Sequence, residues 1–522
     1  MFFFAFSLTN PMTRWIMPIR NRTCIFIILL IILFRATPSP AMDLEKKIVK
    51  ARLDNGLTVL MLERKFSPTV SLHIRYRVGA VDEVKGESGA AHVLEHMMFK
   101  GTSTIGTKNF KAEKKLLLQI EKVGRALDHE RMKQNSADSK KINQLAARLK
   151  KLQDEHRRYY IPNEIDRLYT ENGGSNMNAS PGQDITTYFV SLPANKIELW
   201  ARIESDRLKN PVFREFYTER DVILEERRQR VEASPDGKLY EAFMNAAYTV
   251  HPYGLPIIGL PQDLTYISQA AIRKIHRKYL SPQNIVIAVV GDIQIPDTLK
   301  IINRYFGNIP QGKRLPKAIP AEPPQAGERR AEVVFDASPS MIIGYHKPTA
   351  PASEDYVFDV LETILSNGRT SRLYSKLVLQ MQIADSISVH NGVPAARYPN
   401  LFAIFARPRH PHTTAELEKA VLEELENIRN QPVPEKELAK AKNQLKMDYI
   451  KSLDSNADLA SILSYYELLL GDYRYFSNYI PRIEKVTSKE LQDAAVKYLT
   501  AGNRTIAVLN KKTPGSTSEL NP

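Results

Sequence analysis

Residues 270–291, AAIRKIHRKYLSPQNIVIAVVG, and residues 491–510, LQDAAVKYLTAGNRTIAVLN, read as one text written twice. Each is a helical stretch that ends in Lys-Tyr-Leu, Lys278-Tyr279-Leu280 in the first and Lys497-Tyr498-Leu499 in the second. An asparagine follows within a few residues, Asn284 or Asn503, and then an Ile/Val run suited to a buried strand. Such a repeat implies two structurally related halves. Strand text also fills residues 47–77, where Leu57, Val59 and Met61, then Val70, Leu72 and Ile74, alternate with other residues. Asn55-Gly56 supplies a turn, so antiparallel strands are expected there. Similar text recurs at residues 331–345, and helical stretches at 198–207, 264–279 and 417–429 lie between, without the steady βαβ rhythm of a parallel sheet. The expected fold class is α+β: two homologous halves, each an antiparallel-rich sheet packed by helices.

Between the halves, residues 310–330 carry Pro310, Pro316, Pro320, Pro323 and Pro324 among Lys, Arg and Ala, the composition of an extended linker. The expected division is a leader at 1–41, a first domain at 42–310, a linker at 311–330, a second domain at 331–511 and a flexible tail at 512–522. The leader has Arg14, Arg20, Arg22 and Arg35, no acidic residue, a short apolar run at 23–34 and Ser39-Pro40-Ala41 at its end. This reads as a secretory signal peptide, or as a membrane anchor if uncleaved, and places the protein in the periplasm or outside the cell. One cysteine, Cys24, excludes a disulfide framework and a thiolate metal site.

With 522 residues, 43% hydrophobic and 25% charged, the chain is an ordinary globular protein of two or three domains. Its net charge of +15 admits an anionic surface as partner, but no basic patch with interleaved aromatics appears, and no nucleic acid is expected. Much of the charge sits in residues 111–158, with 14 Lys/Arg against 7 Asp/Glu. There Leu116, Ile120, Val123 and Leu127, then Ile142, Leu145, Leu149 and Leu152, fall at helical spacing on either side of a polar break at 135–139. Two helices folded into an antiparallel hairpin are expected at about 111–160, as a solvated surface insertion or as a docking arm.

The chemistry lies in His92-Val93-Leu94-Glu95-His96. On a helix His92 and His96 are one turn apart and face the same way, so both imidazoles reach one ion, and Glu95 falls beside them. A pair of imidazoles with a carboxylate favours Zn²⁺, and the carboxylate suits a general base acting on a water that the ion activates. Zinc catalysis needs a third protein ligand, and residues 219–226, ERDVILEE, offer Glu219 and Glu226 on one helical face, with Glu225 turned elsewhere. Taken alone, that pair also reads as a solvated charged face.

This set resembles the inverted zinc motif of the inverzincin metallopeptidases, the pitrilysin/insulinase group that includes mitochondrial processing peptidase. The resemblance extends over about residues 45–510, through LDNGLTVLMLE (53–63), GAVDEVKGESGAAHVLEHMMFKGT (79–102), NMNASPGQDITTYFVSLP (176–193), HPYGLPIIG (251–259) and YLSPQNIVIAVVGD (279–292). It implies one Zn²⁺ per chain on His92, His96 and Glu226, with Glu95 as base and Glu219 as a supporting acid. It also implies that Asn178 and Ala179 hold an extended peptide by strand addition.

Two departures stand out. His96 and Glu226 are further apart in sequence than is usual in the family, by about the length of the charged hairpin. After SNGRTSRLYSKL (366–377), the family's substrate-clamping Arg and Tyr are replaced by Val378 and Asp385, with Arg372 and Tyr374 just upstream. The resemblance therefore implies a zinc-bearing chain that pairs with a homologous subunit supplying the Arg/Tyr clamp. The activity implied is that of a zinc metalloendopeptidase for peptides or small unfolded proteins. A non-catalytic structural or peptide-binding subunit on the same fold is the alternative.

Overall fold

The computed structural model describes residues 40–313 and 319–512. Residues 1–39 of the expected leader, including Cys24, residues 314–318 of the expected linker and nearly all of the expected tail lie outside the described residues. A short helix, Pro40–Lys47, precedes the first strand in sequence. Among the described residues no helix is long and apolar enough to cross a membrane.

The described residues form two sheets. The first holds β1 (Val49–Arg52), β2 (Thr58–Glu63), β3 (Thr69–Tyr76), β4 (Ser175–Pro181), β5 (Thr186–Pro193) and β6 (Ile285–Gly291), in the order β1-β2-β6-β3-β5-β4. The second holds β7 (Arg329–Phe335), β8 (Ser340–Lys347), β9 (Ala384–Val393), β10 (Asn400–Pro408) and β11 (Arg504–Lys511), in the order β7-β11-β8-β10-β9. Without β1, the two orders superimpose strand for strand, and the repeated text supplies β6 and β11. In each sheet the repeat strand runs parallel to its partner on one side, β2 or β7, and antiparallel to the other, β3 or β8. The fold is α+β in two homologous halves.

The strands at 47–77 pair only in part as expected. β1 and β2 form an antiparallel pair around Gly56, whose φ of +88° suits glycine. β2 and β3 are not neighbours, because β6 lies between them. All seven residues of β6 are buried, so it needs hydrogen-bonding partners on both edges and cover on both faces, and the sheet centre supplies them. The helix expected over 264–279 is broken at Ile267-Ser268, where the Ser268 hydroxyl accepts the Ala271 N–H at 3.1 Å and starts a new helix.

The helices that position the site and its surroundings are α1 (Ala90–Met98), α2 (Phe110–Arg131), α3 (Ser139–His156), α4 (Phe216–Arg227), α5 (Pro235–Ala247), α6 (Gln269–Tyr279), α7 (Ser353–Ser366), α8 (Asn456–Leu470), α9 (Tyr475–Lys485) and α10 (Ser488–Tyr498). Two of them cross between halves. α5 packs on β7, β8 and β11, and α8 packs on β3 and β6. Phe243 of α5 is fully buried there, and Gly344 of β8 lies so close that a Cβ would meet the Phe243 ring at 2.4 Å. The halves thus share a core that includes Leu239, Phe243, Ile342, Leu401 and Ala507.

α2 and α3 form the expected hairpin. Val123, Leu127, Leu149 and Leu152 are buried, and Leu116, Ile120, Ile142 and Leu145 pack partly against the core. Its inner side is more than an apolar seam. Glu113, fully buried, accepts Arg214 Nε at 2.6 Å and lies 2.7 Å from His156 Nε2, while Asp128 takes both Arg220 nitrogens at 2.7 and 2.9 Å. These pairs anchor the hairpin to the body that carries α4.

Candidate metal centre

α1 begins where Gly89 turns the chain at φ +86°, a conformation with no room for a side chain: a Cβ would stand 2.6 Å from the Ile258 carbonyl oxygen. The Glu83 carboxylate accepts the Gly89 and Ala91 N–H groups at 2.8 and 2.7 Å, satisfying donors that a helix start leaves free. Eight of the nine α1 residues are buried, so the helix is held firmly from all sides. His92 and His96 project from one face, with ring centroids 4.9 Å apart, and donor atoms of His92, Glu95 and His96 all lie within 4.8 Å of one another.

α4 packs beside α1 and brings the two glutamates across. Glu226 Oε2 stands 3.7 Å from His92 Nε2 and 3.6 Å from His96 Nε2. Zn–N and Zn–O bonds of about 2.1 Å in a tetrahedron separate donor atoms by about 3.4 Å, so Glu226 Oε2 stands near ligand spacing from each imidazole. Glu95 Oε2 is 3.9 Å from His96 Nε2, beside the three. Glu219 occupies another place: its Oε2 is 3.2 Å from His96 Nδ1, the far side of the ring. A carboxylate there orients the imidazole and leaves Nε2 free for an ion. Glu225 points outward to Arg228 and Gln229.

The electrostatics follow from burial and close carboxylates. Burial, helped by His96 and Arg230, pulls His92 down to about 3, which keeps it neutral and able to ligate. Burial raises Glu95, with Glu226 and Glu219 adding to the rise against His96 and Arg207. For His96, burial is outweighed by Glu219, Glu95 and Glu226, and the net shift is upward. Burial would raise Glu219, but His96 and Lys100 hold it below the usual carboxylate range.

The centre opens on a cavity of about 640 Å³. β4, whose one sheet neighbour among the described residues is β5, forms part of its wall, and Asn178 and Ala179 of β4 line it together with the His92–Glu226 cluster. Every residue expected at the site from the sequence therefore meets here, except Glu219, which stands behind His96. Val378 and Asp385 do not line this cavity. Val378 is buried in the core of the second half, and Asp385 is bonded to Arg409 on the surface. Arg372 is taken by Glu437 and Glu424, and Tyr374 packs partly against that same core.

Several participants were not expected. Arg230 bonds Glu226 Oε1 at 2.9 Å, and Lys100 bonds Glu219 while reaching Glu215 at 3.3 Å. Their positions four residues after Glu226 and His96 are the helical signal that marks them. Tyr240 and Pro394 also line the cavity, and no local pattern in the sequence announces either.

Comparison with known proteins places these features in a family. The family model described as "Insulinase (Peptidase family M16)" matches residues 58–152 and 157–260, and the model "Peptidase M16 inactive domain" matches residues 266–445. The zinc protease PqqE of Helicobacter pylori is 30% identical over 458 residues, covering 85% of this chain and 89% of that protein. An uncharacterized zinc protease of Mycobacterium leprae is 23% identical, covering 87% and 89%. Among solved structures, a protease from Helicobacter pylori aligns with TM-score 0.73 at 26% identity, over 89% of this chain and 99% of that one. A peptidase M16 inactive domain from Pseudomonas fluorescens shares the fold, with TM-score 0.71 at 17% identity over 90% and 99%.

Proposed function

The chain belongs to the insulinase family, peptidase family M16, and from that premise we propose that it is a zinc-dependent metalloendopeptidase acting on peptides or small unfolded proteins. The observation that supports this most is the approach of Glu226 Oε2 to both histidine Nε2 atoms at 3.6–3.7 Å, with the Glu95 carboxylate beside them in a cavity walled by an edge strand. Zinc, held by His92, His96 and Glu226, would polarise the scissile carbonyl and acidify an attacking water.

The chain's own groups do the rest. Glu95 accepts the proton of the water as it attacks and hands it to the leaving nitrogen, a double use that its raised proton affinity favours. Glu219 fixes the His96 ring through Nδ1. Asn178 and Ala179 present the free edge of β4, along which an extended peptide hydrogen-bonds through its backbone with little demand on sequence. The clamp positions hold Val378 and Asp385, which favours a homologous subunit carrying the Arg/Tyr pair. The leader text at 1–41 favours export. The clamp positions equally favour a second reading, a peptide-binding subunit without turnover.

Hydrolysis of a quenched, unstructured peptide by the zinc-loaded chain, alone and with a homologous subunit, decides between these. Turnover that vanishes in Glu95→Gln is expected. No turnover in either condition, with zinc bound, sinks the peptidase in favour of the binding subunit.

A further inference from the structure

The hairpin of α2 and α3 carries its charges sorted by sign. All 14 Lys and Arg side chains between residues 111 and 158 are exposed. Of the 7 acidic residues in the same stretch, Glu113, Asp128 and Glu130 are buried, and Glu121 and Glu155 are partly so. The two exposed acids are already engaged. Asp138 caps α3 by accepting the Lys140 and Lys141 N–H groups at 2.9 and 3.1 Å, and Asp154 lies 3.6 Å from Arg157. Glu130 takes the side chains of Lys133 and Lys141 at 3.0 and 2.8 Å. The other eleven basic side chains have no carboxylate within 4 Å among the described residues.

A solvated helix face ordinarily interleaves the two signs, because like charges three or four residues apart repel. α2 does the reverse. Lys111, Lys115, Leu118, Lys122, Arg125 and Met132 recur at steps of three, four or seven, so they share one face of a helix about 33 Å long. Two of these six are apolar and still open to solvent, Leu118 at 61% and Met132 at 49% exposed. α3 adds Lys140, Arg148, Lys150 and Lys151, all exposed. No Phe, Tyr or Trp occurs between residues 111 and 158, so the hairpin offers no platform on which a nucleic-acid base could stack.

This combination fits a dense, laterally extended array of negative charge with an apolar layer just beneath it. Anionic headgroups would relieve the repulsion along α2, and Leu118 and Met132 would reach the acyl boundary while the Lys and Arg side chains stay with the phosphates. The leader text at 1–41, in either of its readings, also brings the chain to a membrane. We propose that the outer face of the hairpin docks the protein on an anionic phospholipid bilayer, with α2 lying along the surface. The docking does not depend on the peptidase reading. Asp128 is bonded to Arg220 of α4, and Glu113 to Arg214 just before it, so a docked hairpin would hold the helix that carries Glu219 and Glu226 in a fixed relation to the bilayer.

The test is co-sedimentation of the full chain with vesicles of phosphatidylcholine alone, or of phosphatidylcholine and phosphatidylglycerol in equal parts. Binding is expected only where phosphatidylglycerol is present, and it should weaken steeply as salt is added. Each basic side chain near such a surface contributes roughly a factor of five, so Lys115→Gln, Lys122→Gln, Arg125→Gln and Lys151→Gln combined should weaken binding about 100-fold. Lys419→Gln, Lys436→Gln, Lys485→Gln and Lys489→Gln combined remove the same charge from exposed positions of the second half, and that variant should bind as the unaltered chain does. Should the hairpin variant fail to fold by circular dichroism, Lys140→Gln, Arg148→Gln, Lys150→Gln and Lys151→Gln on α3 take its place with the same expected loss. Leu118→Gln with Met132→Gln keeps the charge; it should weaken vesicle binding about 5-fold and leave binding to soluble polyglutamate unchanged. Absent binding to phosphatidylglycerol vesicles, or equal binding to neutral ones, overturns the docking. So does a hairpin variant that binds as before, or an equal loss in the second-half variant. Polyglutamate bound as tightly as the vesicles, with no effect of the Leu118 and Met132 changes, overturns the bilayer in favour of an acidic protein partner.

Discussion

Asn284 and Asn503 hold the same place in the two halves. Asn284 Nδ2 donates to the carbonyl of Tyr279, the last residue of α6, at 2.7 Å, and Asn503 Nδ2 donates to that of Tyr498, the last residue of α10, at 2.8 Å. Each amide also donates across to the neighbouring chain, to Arg77 O just past the end of β3 at 3.0 Å or to His346 O of β8 at 2.8 Å. One side chain thus closes a helix end and pins the register of the strand that follows.

Replacing either asparagine by alanine leaves two carbonyls without that donor. Asn284 is 6% exposed and Asn503 more open, so Asn284→Ala is expected to cost about 2–3 kcal/mol and Asn503→Ala about 1 kcal/mol. Urea melts of the two variants measure the difference; equal and negligible losses would contradict the shared role.

Metal content separates ligands from supporting groups. His92→Ala and Glu226→Ala should lose bound zinc, read by elemental analysis after desalting. Glu219→Ala should retain it with affinity weakened about 10- to 100-fold, because that carboxylate acts through His96 Nδ1. Chelation should abolish turnover in the unaltered chain, and added Zn²⁺ should restore it.

Glu113 binds the hairpin to the body. It is fully buried and paired with Arg214, itself 0% exposed, so Glu113→Ala strands a buried guanidinium and should destabilise by about 3–5 kcal/mol. Thermal melting reports it. A shift within error would mean that the hairpin is held by its apolar seam and the Asp128–Arg220 pair without Glu113.

Acid should loosen the segment before β7. The Glu322 carboxylate accepts the N–H groups of Thr249, Val250 and His251 at 2.9–3.1 Å. Burial opposes its charge, but those bonds outweigh burial and hold it down to about 2. Because the folded value lies below the ordinary 4.5, its stabilisation is fully present above about pH 4.5 and is lost as pH falls toward 2. The urea midpoint of Glu322→Gln should therefore lie below that of the unaltered chain at pH 6 and converge with it near pH 2.

The sequence by itself determined whatever depends on local spacing. His92, Glu95 and His96 share a helical face because a helix turns every 3.6 residues, and Glu219 and Glu226 share one for the same reason. The doubled Lys-Tyr-Leu…Asn text fixed the two halves, and the 3–4 spacing of Leu116–Leu152 fixed the hairpin. Only the tertiary structure decided what distance along the chain conceals. It set β6 between β2 and β3, since a strand buried on every residue needs partners from both sides. It exchanged α5 and α8 between the halves, because an apolar helix face is satisfied by whichever sheet lies against it. It divided the two glutamates as well. Their shared face put both near the histidines, but the packing of α4 on α1 turned Glu226 to Nε2 and Glu219 to Nδ1 of His96, and for two residues on one face that choice belongs to side-chain contact rather than to pattern.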